Sequence, residues 1–302
     1  MIAARAEGTL DARLPLVMLA AAALAGLAPL WALLVGPIVF GVPHVIGDVR
    51  SLWLRRPGGF GGPVATRVAC ALFAMTSLRA ASMCGAAIPL EAELVCGVLA
   101  VALAALGGAR DHRARIGWIL GITALGSCAA FAARETLLVL AHAHNLVALA
   151  LWLAWTPRAR QARGVALVYA LGLLAVLWLS DASVQGRTIE SFEGTRIAGE
   201  LAPGLTPGLA DALVRSFAFA QLVHYGIWSW QLPGQSRASL REDLGSVGLV
   251  ACALLCIAVP ACGLWAPVET RSTYLQLAIA HGWIELSVVA FLLARGSLAR
   301  TP

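Results

Sequence analysis

The sequence predicts an all-α polytopic membrane protein, built as a single bundle of about ten transmembrane helices. Of its 302 residues, 60% are hydrophobic and only 13% are charged, which is unlike an ordinary soluble domain. The apolar residues form repeated segments of about 20 residues, the length that a helix needs to cross a bilayer. No polar block is long enough to fold alone, so we expect one integral-membrane domain over residues 1–302.

Proline, glycine and charged residues separate the first five predicted spans. Pro29 ends the first span, Pro57-Gly58-Gly59 forms the turn after the second, and Arg134-Glu135 is a polar corner after the fifth. Arg79 lies inside the third span, where it either pairs with a buried carboxylate or extends towards the membrane surface. We expect these spans at about 14–28, 31–54, 68–86, 90–108 and 116–133.

A polar stretch at 181–207 divides the later spans. Because it is net acidic, we expect it to be an extracytoplasmic loop. An alternative treats 14–54 as one tilted or re-entrant element, which gives nine helices. The later spans are expected at about 136–155, 165–179, 209–232, 244–265 and 272–293.

The arginine residues predict the orientation of the chain. They are concentrated after the second, fourth, sixth and eighth spans and at the C-terminus. Cytoplasmic loops carry an excess of basic residues, so we expect both termini in the cytoplasm and a multi-pass protein of the inner (plasma) membrane. The net charge of +6 is explained by these short loops and does not indicate nucleic-acid binding.

Five of the six histidines lie inside even-numbered spans, near the middle of each. These spans all run in the same direction, so their histidines are expected at similar depth. Polar residues at that depth usually mark a functional site, and neutral imidazole suits iron, copper and zinc. The sequence therefore predicts a metal site whose candidate ligands are His44, His142, His144, His224 and His281.

Two carboxylates accompany these histidines at helical spacing. Asp48 follows His44 by four residues, and Glu285 follows His281 by four residues, so each pair shares one face of its helix. Such carboxylates accept the second ring N–H of a histidine on their own or a neighbouring helix, or they bind the metal directly. We therefore assign Asp48 and Glu285 to the catalytic machinery and leave both roles open.

Three further polar residues are candidates for cofactor binding. His142 and His144 lie about 200° apart around a helix, so only one of them faces the centre of a site, and the choice between them is left open. Asn145 lies about 60° from His142 on the same helix. Gln221 and Tyr225 extend the polar surface around His224.

The segment Gly41-Val42-Pro43-His44-Val45-Ile46-Gly47-Asp48 resembles the opening motif of the Brp/Blh family of membrane β-carotene cleavage dioxygenases. Val45 stands where that motif has Gly, and the later histidines are similar to the family's in kind. The resemblance implies a non-haem iron(II) held by histidines, an oxygenase acting on a long polyene, and retinal as that family's product. On this basis His44 is an iron ligand and Asp48 supports it.

Taken together, these features predict a membrane metal-dependent oxygenase or oxidoreductase, with non-haem iron, acting on a carotenoid- or lipid-like substrate within membrane lipids. A first alternative is a haem b electron-transfer protein, because paired histidines on facing helices ligate haem. A second alternative is a proton-coupled transporter, because ionisable side chains inside helices form proton relays. The sequence does not identify the substrate, an electron donor or the oligomeric state.

Overall fold

The structure, a computed structural model, describes residues 13–156, 159–181, 196, 199–231 and 237–298. These residues are helical, with no strand among them, as the sequence predicts. The predicted extracytoplasmic loop lies mostly outside the described residues, which exclude 182–195 and 197–198.

Ten helices of 15 or more residues lie in the described part of the chain, and each overlaps one predicted span. The first five are α1 (Arg13–Leu27), α2 (Pro29–Asp48), α3 (Gly62–Met83), α4 (Leu90–Gly108) and α5 (His112–Phe131). The others are α6 (Ala133–Trp155), α7 (Ala159–Asp181), α8 (Pro207–Gly226), α9 (Arg237–Trp265) and α10 (Pro267–Ala294).

Eight of these helices are long and apolar enough to cross a membrane. The two that fall outside this group are α1, which is apolar but has only 15 residues, and α8, which carries the charged residues Asp211 and Arg215. The chain is therefore a multi-pass α-helical membrane protein. The count of ten crossings and the cytoplasmic location of both termini stay predictions.

The chain divides into two compact units. The first unit comprises Met1–Leu33 and Thr156–Ile227, and the second comprises Leu34–Trp155 and Trp228–Pro302. The expectation of one integrated bundle stays a prediction.

In the first unit α1, α7 and α8 pack against one another. Small residues allow this close approach: a Cβ atom on Gly172 would lie 2.8 Å from the ring of Phe219. The interior also holds an ion pair, because Arg215 Nε donates to Asp211 Oδ2 at 2.6 Å and both side chains are almost fully buried. Arg215 also donates to the backbone carbonyl of Gly26 in α1, which ties α8 to α1.

In the second unit α10 packs against α3, α4, α6 and α9. Glycines of α4 make this possible, since a Cβ atom on Gly97 would lie 2.3 Å from the indole of Trp283 in α10. Arg79 of α3 and Glu93 of α4 form an ion pair, with Nη2 and Oε2 2.5 Å apart. Of the two interpretations for Arg79, the structure therefore supports pairing with a buried carboxylate.

The C-terminal end of α2 is fixed to α9. Immediately after Asp48 the backbone widens into a π-helical turn, Val49–Leu54. Arg50 of this turn and Arg55, which directly follows it, both donate to the Asp243 carboxylate of α9, over 2.5 Å from Arg50 Nε and 3.1 Å from Arg55 Nη2. Turns of this kind occur often at functional sites, and this one follows directly on the motif that contains His44.

Candidate metal centre

Three histidine rings meet inside the second unit. His44 of α2 and His281 of α10 have ring centroids 4.8 Å apart, with the ring planes at 78°. His144 of α6 approaches His281 in the same way, at 4.8 Å and 75°. We call His44, His144 and His281 the histidine cluster, and His281 is its middle member. Residues separated by 237 positions in the chain thus come into direct contact.

Each ring of the cluster has its Nδ1 atom next to an oxygen acceptor. The acceptor is the carbonyl of Phe40 for His44, at 3.2 Å, and the carbonyl of Ala278 for His281. For His144 it is Glu285 Oε2, at 3.1 Å. These contacts assign the Nδ1–H tautomer to all three rings. Each ring then carries its lone pair on Nε2, the arrangement in which an outer acceptor orients a metal-binding imidazole.

The Nε2 atoms of His44 and His281 face each other at 3.1 Å. With both rings in the Nδ1–H tautomer, no ring proton lies between these two atoms, and their lone pairs repel. A cation between them removes this repulsion. Two nitrogens bound to one metal at about 2.0–2.1 Å lie roughly 2.9 Å apart at a right angle and roughly 3.4 Å apart at a tetrahedral angle. The observed distance falls between these limits.

Two buried carboxylates accompany the histidine cluster. Asp48 and Glu285 are both fully buried, and the two carboxyl groups interact electrostatically. Among the described residues, none donates a hydrogen bond to either carboxylate oxygen of Asp48. One nitrogen or oxygen atom from each of His144, His281 and Glu285 lies within 4.8 Å of the others. A buried carboxylate that is ionised is usually paired or bound to a metal ion.

The structure distinguishes the surroundings of His142 from those of His144. The ring of His144 contacts His281 and Glu285. His142 is half-buried and lies two residues earlier, on a different face of α6. Asn145 is buried and donates from Nδ2 to the carbonyl of Ala141 at 3.3 Å, within its own helix. Metal binding by His142 and cofactor binding by Asn145 stay predictions.

The remaining candidates belong to the first unit. His224, Gln221 and Tyr225 are all buried near the end of α8. The rings of His224 and Tyr225 have centroids 6.0 Å apart. Their assignment to a metal or a cofactor stays a prediction from the sequence.

Sequence reasoning missed two kinds of contact made by the helices that carry the cluster. The first is the pair of backbone carbonyls, of Phe40 and Ala278, that orient two of the rings; these lie three or four residues before each histidine, where a helical side chain naturally points. The second is Tyr274, whose ring lies against Gly41, so that a Cβ atom there would be 2.5 Å from Cζ. The signal for this contact was the glycine in the motif.

Comparison with protein-family models, with curated proteins and with solved structures finds no match for this chain. The class of the protein therefore follows from its own fold and side chains. It is a multi-pass α-helical membrane protein, and one of its two units brings three histidines and a glutamate into contact.

Proposed function

We propose that the protein is an integral-membrane, metal-dependent oxidoreductase acting on a lipid-soluble substrate. His44, His144 and His281 would hold the metal ion through Nε2, and Glu285 would orient His144. The observation that carries the proposal is the pair of Nε2 atoms at 3.1 Å, both turned inward because their Nδ1 atoms face oxygen acceptors. A histidine that only forms a structural hydrogen bond does not need the Nε2 atom of a second histidine facing its own.

The ligand set favours a first-row transition metal. Imidazole suits iron, copper and zinc, and a nearby carboxylate favours the harder ions. We propose iron(II), since three histidines leave positions open for dioxygen and the motif around His44 resembles that of an iron oxygenase family. Iron would supply dioxygen binding. In a dioxygenase one C=C bond and the O–O bond break and two C=O bonds form, so dioxygen is the sole oxidant.

The geometry disfavours a haem held between His44 and His281. Two axial histidines on one haem iron lie on opposite sides of the ring, so their bound nitrogens are separated by about 4 Å, twice a metal–nitrogen bond of about 2.0 Å. The Nε2 atoms of His44 and His281 are only 3.1 Å apart, which leaves no space for a porphyrin plane. The proton-coupled transporter remains the second alternative, supported by the buried carboxylates.

Elemental analysis of freshly purified protein, combined with its absorption spectrum, tests the proposal. We expect about one equivalent of iron per chain and no Soret band. A Soret band with haem extracted in equal amount would establish the haem alternative instead. Protein that contains no transition metal, and takes up none when iron(II) is added without oxygen, would overturn the metal centre and leave the transporter as the better explanation.

We also propose the inner (plasma) membrane as the location, with both termini in the cytoplasm. The support is the concentration of arginine in alternate loops and at the C-terminus. Reporter domains fused to each terminus, active on only one side of the membrane, test this topology. Activity of both reporters in the cytoplasm is expected, whereas activity on opposite sides would require an odd number of crossings.

A further inference from the structure

An apolar cavity of about 580 Å³ lies between α2, α9 and α10 of the second unit. Each helix contributes one face to it, as the spacing shows: Val42, Val45 and Ile46 of α2 lie three and four residues apart. The volume is within the range of small-molecule sites. Leu255 and Leu277 line the cavity and are more than half exposed, so it opens towards the outside of the unit, where lipid would lie.

Two glycine contacts shape this cavity. Gly41 of α2 lies against Tyr274 of α10, and Gly263 of α9 lies against Ile38 of α2, where added Cβ atoms would be 2.5 Å and 2.6 Å from their neighbours. The helices therefore touch at these two places. The cavity that remains between the helices is a consequence of this packing.

One end of the cavity is polar. Glu269 lies in the first turn of α10, and Thr270 and Thr273 follow it along the same wall. Because this turn directly follows the end of α9 at Trp265, the polar end lies at the edge of the membrane-spanning region. A carboxylate accepts hydrogen bonds and repels anions, whereas the threonine hydroxyls both donate and accept.

The other end of the cavity lies at residues that neighbour the histidine cluster in the chain. Ala278 lines this end, and its carbonyl accepts the Nδ1–H of His281. On the opposite wall Val45 lines the cavity next to His44 in the chain. A molecule that fills the space thus extends from the polar turn towards the candidate metal ligands.

We propose that this cavity binds a single-chain lipid with a terminal hydroxyl group, with the hydroxyl at Glu269 and the chain directed towards His281. A volume of 580 Å³ holds about 20 non-hydrogen atoms, taking the roughly 30 Å³ that one water molecule occupies. The apolar walls select the chain, and the carboxylate rejects an acidic head group. That this lipid is the substrate rests on the proposed function; that it binds does not.

The test uses three radiolabelled probes with the same chain: hexadecan-1-ol, hexadecane and hexadecanoate. Binding is measured to the full-length protein in lipid nanodiscs. We expect the alcohol to bind about tenfold more tightly than the hydrocarbon, the effect of about one hydrogen bond to a carboxylate, and hexadecanoate to bind most weakly. Equal binding of all three probes, or binding of none, would overturn the proposal.

Variants locate the bound molecule. Ala258→Trp places an indole in the cavity wall formed by α9 and should abolish alcohol binding. Ala253→Trp, also at an exposed position of α9 but on another face, is the matched control and should bind normally. Glu269→Gln should remove the preference for alcohol over hexadecanoate. A Glu269→Gln protein that keeps the full preference would place the hydroxyl elsewhere and sink the assignment of the polar end.

Measuring binding with and without metal separates this inference from the proposed function. Alcohol binding to a protein that takes up no transition metal would leave the cavity assignment intact and refute the metal centre. A metal-loaded protein that binds none of the probes would refute the cavity assignment and leave the metal centre intact. If the protein binds both the metal and the alcohol, cobalt(II) can be substituted for iron as a spectroscopic probe. The visible spectrum of cobalt(II) should then change when hexadecan-1-ol is added to the parent protein, and should not change when it is added to the Ala258→Trp variant.

Discussion

Replacing Glu285 by glutamine tests how the candidate metal centre is supported. Glu285 is fully buried, and its Oε2 atom accepts from Nδ1 of His144 at 3.1 Å. Glutamine has nearly the same shape but carries no charge, so the Nδ1–H of His144 loses a charge-assisted acceptor. Nε2 of His144 then becomes a less basic ligand, and the ring is held less firmly.

The size of the effect follows from the role of such outer acceptors. Their loss typically weakens metal affinity 10- to 100-fold, which corresponds to about 1.4–2.7 kcal/mol. Zinc(II) or cobalt(II) titration against a competing chelator measures the change in Kd. Glu91→Gln is the matched control, because Glu91 is exposed at the start of α4 and should leave the metal affinity unchanged.

A double-mutant cycle with His144→Ala distinguishes support from direct ligation. If Glu285 acts through His144, then Glu285→Gln should have little further effect in a His144→Ala background, since the contact is already lost. Additive effects would show that Glu285 binds the metal on its own. An unchanged metal affinity in the Glu285→Gln protein would refute the assignment of the His144 tautomer, provided that helix content and elution volume match the parent.

Three further substitutions have defined outcomes. His44→Ala should remove the metal and any oxygenase activity together, measured by elemental analysis and oxygen uptake, whereas His112→Ala, at the exposed start of α5, should remove neither. Gly41→Ala should lower the free energy of unfolding by about 1–3 kcal/mol, because the added Cβ atom would lie 2.5 Å from a tyrosine ring. Gly117→Ala is the control: its Cβ atom would meet no atom within 4 Å, so the substitution should be neutral or slightly stabilising. Arg79→Met should lower the free energy of unfolding by about 3–5 kcal/mol, because the buried Glu93 would lose its positively charged partner. A Tm equal to that of the parent would contradict this.

The fold could be predicted closely because long apolar segments leave little choice of structure. Every predicted span corresponds to a helix in the described chain, but α9 begins at Arg237, seven residues before its predicted start, and kinks at Gly245, where φ is 66°. The starts of helices were harder to place. α5 begins at His112 and not near residue 116, because Asp111 caps the helix by accepting from the backbone N–H of Ala114.

Part of the histidine cluster was predictable and its internal contacts were not. The positions of His44 and His281 near the middle of spans that run in the same direction correctly predicted that these two residues come together. Spacing also suggested that each carboxylate serves a histidine, and it left open which one. The structure shows Glu285 serving His144 of another helix, a contact that depends on how α6 and α10 pack and that no pattern within one helix contains.

The physical reason for this crossed arrangement lies in the direction of helical side chains. A side chain in a helix points back towards the preceding turn, so the rings of His44 and His281 reach the carbonyls of Phe40 and Ala278. Those two rings therefore use backbone acceptors for Nδ1. In this arrangement Glu285 serves the one ring of the cluster whose Nδ1 faces a side chain. All three tautomers are then set, with the lone pair of each ring on Nε2.

Charge balance gives an independent argument for a divalent ion. The three rings are neutral in these tautomers, whereas Asp48 and Glu285 bring two negative charges when ionised, in a fully buried position. A metal ion with two positive charges cancels them, and burying a neutral group of ligands costs far less than burying an isolated carboxylate. Asp48→Asn should therefore weaken binding of a divalent ion even if Asp48 never touches it. Unchanged affinity for zinc(II) in that variant would mean that Asp48 is protonated in the membrane and that its charge plays no part in the site.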